Sequence, residues 1–219
     1  METYQKMNRC IVFDLDGTLI DSRQDLVNTC NMLRASYDLE PLPGEQIAAF
    51  IGDGIQKLLE RTLSDSSVSP AEAMPRMLEL YAQNLNRCTV LYPGVFQGIR
   101  RLAECGWHIA LFSNKKEMFC ERTLEYFALA EYFTVVIGDS DRFARKPDPE
   151  ALNFILKKLQ IVDPGESWMV GDHHTDLEAG KKAGMKTAFC SYGIGDPGVF
   201  QPDLTVDHFA ELVRRLSDA

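Results

Sequence analysis

The sequence has no uninterrupted apolar span of membrane length, and its first residues, Met1–Asn8, lack the apolar core of a secretory signal. A cytoplasmic protein with no membrane partner is therefore expected. It also lacks any Cys-x-x-Cys pair. Its six cysteines (Cys10, Cys30, Cys88, Cys105, Cys120, Cys190) lie far apart, and without a signal peptide they read as reduced thiols, several of them small hydrophobes inside regular elements. Positive charge is scarce: 23 Lys and Arg against 32 Asp and Glu give a net charge of -9. That excludes general affinity for nucleic acid or an anionic membrane, so an anionic ligand would depend on individual lysines. There is no internal repeat and no low-complexity segment. With 219 residues, 45% hydrophobic and 25% charged, the chain has material for one large domain or for a core with a small insert.

The organising stretch is Cys10-Ile-Val-Phe-Asp-Leu-Asp-Gly-Thr18. A short apolar run rich in β-branched and aromatic residues reads as a buried strand. On an extended chain residues i and i+2 point the same way, so Asp14 and Asp16 can reach one centre. Gly17 permits a sharp turn. Two carboxylates at the end of a buried strand are costly unless paired or bound to a cation, and Mg2+ suits such oxygen ligands. Alone, the pair also fits a strand end or a nucleotide-sugar metal site of a glycosyltransferase.

From Asp21 to Cys88 the pattern is helical, with no strand evident. Asp21-Ser22 caps a helix to about Tyr37, followed by helices over Glu45–Phe50, Ile55–Leu63 and Ala71–Arg87. After Leu91-Tyr-Pro-Gly94 strand and helix patterns alternate. Strands are expected over Trp107–Phe112, Thr134–Ile137, Ser167–Val170 and Lys186–Cys190. The helices lie over Val95–Cys105, Met118–Phe127, Pro149–Leu159 and Asp176–Ala183. Such alternation predicts a parallel α/β sheet with right-handed crossovers. Ligands then bind beyond the carboxyl ends of the strands.

Polar residues follow those strands. Ser113-Asn114-Lys115 is expected to open a helix, where a hydroxyl and free amides either cap the helix or cradle a phosphate. Lys146 precedes a proline in Arg145-Lys-Pro-Asp-Pro149. Asp172 and Asp176 fall in Gly171-Asp-His-His-Thr-Asp176. The adjacent His173 and His174 make a zinc site only if other ligands converge on them; otherwise they orient Asp172 or lie on the rim of the site.

Taken in order, Asp14-x-Asp16-Gly-Thr18, Ser113, Lys146-Pro147 and Gly171-Asp172-x-x-x-Asp176 resemble the four motifs of the haloacid dehalogenase superfamily. The resemblance spans essentially the whole chain. It implies a Rossmann-like parallel-sheet core (1–20 and 89–219) with a small α-helical cap domain, 21–88, inserted after the first strand. It further implies an Mg2+-dependent phosphatase with Asp14 as nucleophile and Asp16 as acid–base. Thr18, Ser113, Asn114 and Lys146 would bind substrate, and Asp14, Asp16, Asp172 and Asp176 would serve the metal. The partner would be a small phosphorylated metabolite, the protein a monomer or homodimer. Phe50-Ile-Gly-Asp-Gly54, the following Leu-x-x-Arg61 and Leu91-Tyr-Pro-Gly94 most resemble phosphoglycolate phosphatases. A phosphomutase, a pyrophosphatase, a nucleotidase and a catalytically silent binding module remain as alternatives.

Overall fold

The computed structural model describes residues 8–217; Met1–Met7, part of the stretch read as lacking a signal core, lie outside the described residues. The first strand, β1 (Cys10–Phe13), is buried at every position. Alternate residues face opposite sides of a strand. Ile11 and Phe13 accordingly enter one apolar cluster, while Cys10 and Val12 enter another on the opposite face. A strand apolar on both faces belongs at the middle of a covered parallel sheet, and β1 sits there.

Two residues of β2 (Ile20–Asp21) pair antiparallel with β3 (Val90–Leu91) where the chain leaves and re-enters the core. The remaining strands are β4 (His108–Lys116), β5 (Phe133–Asp139), β6 (Trp168–Gly171), β7 (Lys186–Cys190) and β8 (Leu204–Val206). With β1 they form one six-stranded sheet in the order β5-β4-β1-β6-β7-β8, parallel throughout. Ile11 lies opposite Ile109 on one side and Trp168 on the other. This is an α/β, Rossmann-like fold.

Between β2 and β3 come four helices, α1 (Arg23–Ala35), α2 (Gly44–Ala48), α3 (Ile55–Thr62) and α4 (Pro70–Asn84). They bury their own cluster, including Leu33, Leu59, Met77 and Tyr81, and that cluster also takes in Phe119 from the core. Five further helices cover the sheet: α5 (Val95–Glu104), α6 (Glu117–Tyr126), α7 (Glu150–Lys158), α8 (His174–Lys182) and α9 (Phe209–Ser217). Leu152 and Ile155 of α7 and Ala179 of α8 pack on the face of Val12, whereas Ile99 of α5 and Phe209 of α9 pack on that of Phe13. Among the described residues no helix is long and apolar enough to cross a membrane. All six cysteines are free thiols.

Three local expectations are corrected. Ser113-Asn114-Lys115 does not open a helix: β4 continues to Lys116, which lies opposite Asp139 of β5, and α6 begins only at Glu117. Ser22 does not cap α1 through its side chain; its hydroxyl donates to Asp16 Oδ1 at 2.5 Å instead. Asp21, placed in a wholly helical segment, is part of the short β2 pairing.

Candidate active site

Four strand ends deliver polar side chains to one edge of the sheet: Asp14 after β1, Ser113 within the end of β4, Asp139 at the end of β5 and Asp172 after β6. Gly17 makes this convergence possible. Its φ of +85° belongs to the region glycine favours, and a Cβ there would collide with the Asp172 carboxylate and the Ile194 side chain.

Asp14, Asp172 and Asp176 are all buried, with carboxylate oxygens within 4.8 Å of one another. Lys146 compensates two of them. Its Nζ lies 2.7 Å from Asp14 Oδ1 and 2.6 Å from Asp176 Oδ1. The Asp14 contact is an ion pair off hydrogen-bond direction, since the same oxygen has no aligned donor. Burial alone disfavours charged lysine, but Asp14 and Asp176 outweigh it and raise the Lys146 pKa. The carboxylates respond in the opposite sense. Burial, opposed by Lys146, lifts Asp14 to about 6. Burial, reinforced by Asp14 and Asp176, lifts Asp172 to about 8.

Asp172 Oδ2 accepts from the backbone amides of Ile194 and Gly195, both at 2.8 Å. Asp176 Oδ2 accepts from His173 N at 3.0 Å, part of a capping box that starts α8. A hard dication fits this set: the donors are oxygens, and their negative charge exceeds what one lysine neutralises.

Asp16 stands apart from that cluster. Lys115 Nζ donates to both its oxygens, at 2.8 and 3.1 Å, and also meets the Tyr81 hydroxyl from α4. Burial works against this lysine too, yet Asp16 and Tyr81 raise its pKa. The network therefore joins the helical insert to the carboxylate two residues after Asp14.

Two residues expected to touch substrate are otherwise engaged. Thr18 is fully buried and its hydroxyl points to Asp172 Oδ1 at 3.5 Å; the turn at Gly17 carries it beneath the cluster. Asn114 lines the pocket, but its Oδ1 accepts from Lys146 N at 2.9 Å while its Nδ2 donates to the carbonyls of Lys146 and Gly52, both at 3.3 Å. It ties the lysine loop to the insert. Ser113 lines the pocket beside Asp14, and its Oγ accepts from Lys115 N at 3.4 Å.

Lys115, Tyr81, Asp139, Ile194 and Gly195 were not singled out from the sequence. Asp139 pairs with Lys116 and Arg145, each at 2.7 Å, and so fastens the strand ends on both sides of the lysine loop. Its place at a strand's carboxyl end was the available signal. The amides after β7 carry none, because any residue supplies an N–H.

The pocket lies between this edge and the insert, which contributes Leu26, Ile51, Ile55, Leu58 and Tyr81. Three lysines, Lys115, Lys116 and Lys146, line the pocket. The arrangement suits an anion.

Comparison with known proteins is consistent with this geometry. The haloacid dehalogenase-like hydrolase profile matches residues 11–190. Phosphoglycolate phosphatase 1 of Pseudomonas aeruginosa is 34% identical over 95% of this chain and 79% of its own length. A phosphoglycolate phosphatase of Vibrio vulnificus is 33% identical over 95% and 96%. Among solved structures, a predicted phosphoglycolate phosphatase from Haemophilus somnus superposes with a TM-score of 0.88 at 24% identity, covering 97% of this chain and 99% of the other. That likeness concerns the fold.

Proposed function

The chain belongs to the haloacid dehalogenase-like hydrolases, and from that membership we propose an Mg2+-dependent phosphatase that hydrolyses a small phosphomonoester, 2-phosphoglycolate, through an aspartyl-phosphate on Asp14. The observation that carries this reading is the buried group of Asp14, Asp172 and Asp176 around Lys146. In it a nucleophilic carboxylate, a cation and a hard-metal ligand set share one strand edge.

In the first step an Asp14 oxygen attacks phosphorus and the ester P–O bond breaks. Asp16 gives its proton to the departing alkoxide. In the second, Asp16 takes a proton from water, the water oxygen bonds to phosphorus, and the bond to Asp14 breaks to release phosphate. Lys146 neutralises the phosphoryl oxygens, and the Ser113 hydroxyl donates to one of them. Asp14, the backbone carbonyl of Asp16 and Asp172 would hold the metal, with Asp176 acting through Lys146. When bound, Mg2+ supplies the positive charge that offsets repulsion between a carboxylate and a phosphate dianion.

Residues 21–88 act as a lid on the core formed by 1–20 and 89–219, with the apolar insert wall excluding water. The three lysines in the pocket lining, Lys115, Lys116 and Lys146, support an anionic substrate. Phosphate release from phosphoglycolate, sugar phosphates, nucleoside monophosphates and pyrophosphate tests the assignment. Strong Mg2+-dependent preference for phosphoglycolate is expected, and equal weak rates on all four classes overturn the substrate.

Two further results are expected. Lys115→Met removes the cation that holds both Asp16 oxygens in place and is expected to lower kcat by about 10²-fold through loss of that placement. Tyr81→Phe, which removes only a support of Lys115, has a smaller effect in the same direction. Steady-state kinetics on folded variants checks both, and wild-type kcat in Lys115→Met contradicts the positioning role given to Lys115.

The second concerns pH. The folded-state values of Asp14 and Asp172, about 6 and about 8, lie above their ordinary 3.8. Their contribution to the metal-free fold is therefore complete below the ordinary value and is withdrawn as pH rises through about 6 and about 8. Mg2+ requires the ionised carboxylates, so its binding releases protons and tightens over the same window. The Mg2+-induced rise in Tm should be larger at about pH 9 than at about pH 5; a shift that shrinks with pH contradicts the ligand set.

A further inference from the structure

Outside the carboxylate centre, the loop of the insert that precedes α3 meets the start of α8. Asp53, His173 and His174 each offer a ligand atom there, and the three atoms lie within 4.8 Å of one another. The two imidazoles stand with centroids 4.1 Å apart. The approach is close by construction. Gly52 has a φ of +120°, and a Cβ on it would sit 3.0 Å from His173 Cδ2 and Nε2. The Nε2 atom thus faces the loop that carries Asp53.

Two of the three ligands are oriented by a neighbour, as metal ligands commonly are. His173 Nδ1 lies 3.0 Å from Thr175 Oγ1 and accepts from Thr175 N at 3.5 Å as the N-cap of α8, which fixes the ring at Nδ1; an ion at Nε2 would take the place of that atom's proton. Asp53 Oδ2 accepts from Arg61 at 2.6 Å, which leaves Oδ1. The His174 ring makes no hydrogen bond among the described residues.

Two imidazole nitrogens and one carboxylate oxygen form the ligand set of a zinc-class dication with an open fourth position, and they do not suit Mg2+, which prefers oxygen. We propose that Asp53, His173 and His174 form a second, transition-metal site that ties the insert's Gly52–Gly54 loop to the start of α8. Since Asp53 comes from the insert and both histidines from the core, an ion bound here would hold that loop over the pocket mouth. The inference does not depend on the substrate or on phosphate chemistry.

The test uses the full chain in excess Mg2+, titrated with Zn2+ by calorimetry and with Co2+ by visible absorption. One equivalent should bind beyond the Mg2+ centre. Binding should weaken at least about tenfold in His174→Ala and in Asp53→Asn, and persist in Asp172→Asn. X-ray absorption of the unmutated zinc-loaded protein should show two imidazole ligands with Zn–N near 2.0–2.1 Å, a readout no folding defect can affect. Absence of Zn2+ uptake in excess Mg2+, or an all-oxygen environment, would overturn the site. So would uptake lost in Asp172→Asn but kept in His174→Ala, which would place the ion among the carboxylates.

Discussion

Asp14→Asn is expected to remove turnover, by at least about 10³-fold, while leaving the protein folded. The amide nitrogen cannot attack phosphorus, and the remaining oxygen is a poor nucleophile. Folding survives because the substitution conserves volume and Lys146 keeps Asp176, 2.6 Å away. Loss of one buried carboxylate also relieves Asp172, whose pKa Asp14 helps to raise. The metal-free variant should therefore melt at or above the wild-type temperature at alkaline pH. Measured kcat and thermal melts in parallel separate the two effects, and residual wild-type turnover would remove Asp14 from the chemistry.

Lys146→Met should fail differently, losing both activity and stability. Lys146 is buried and is the cation found within ion-pair distance of Asp14 and Asp176. Breaking a buried pair on one side costs about 3–5 kcal/mol, because the partner charge stays buried and uncompensated. The activity loss should be of order 10²–10³-fold, the scale of one removed electrostatic stabiliser. The stability defect should be smallest in acid, where Asp14 and Asp172 are protonated, and largest above about pH 8. Urea unfolding across pH checks this. Wild-type stability at alkaline pH would mean the carboxylates do not rely on this lysine.

Much of the fold was legible where periodicity and burial agree. The run Cys10–Phe13 reads as a buried strand and is one, and Lys186–Cys190 matches its expected bounds. Ser113-Asn114-Lys115 misled because Ser and Asn favour helix starts, whereas β4 runs on through them, past an irregularity, to resume its pairing with β5 at Lys116 and Asp139. Strand β8, with three residues, is too short to show a period, and it stayed unassigned with α9 despite the latter's buried Phe209, Leu212 and Leu216. Pairings across distant segments were not readable at all. Lys115 finds Asp16 across 99 positions, and Asp53 reaches His173 and His174 only because the insert lies against the core. The motif carboxylates and Lys146 were legible because each follows a strand, and parallel strands bring such positions to one edge.

The central claim is that phosphate passes through Asp14. The direct measurement is intact-protein and peptide mass spectrometry of the unmutated protein, acid-quenched at short times during turnover of phosphoglycolate with Mg2+, because Asp16 serves both the formation and the hydrolysis of the intermediate. The account predicts a gain of one phosphoryl group on Asp14, absent in Asp14→Asn. A phosphoryl group on another residue, or turnover with none on Asp14 at any quench time, would contradict it.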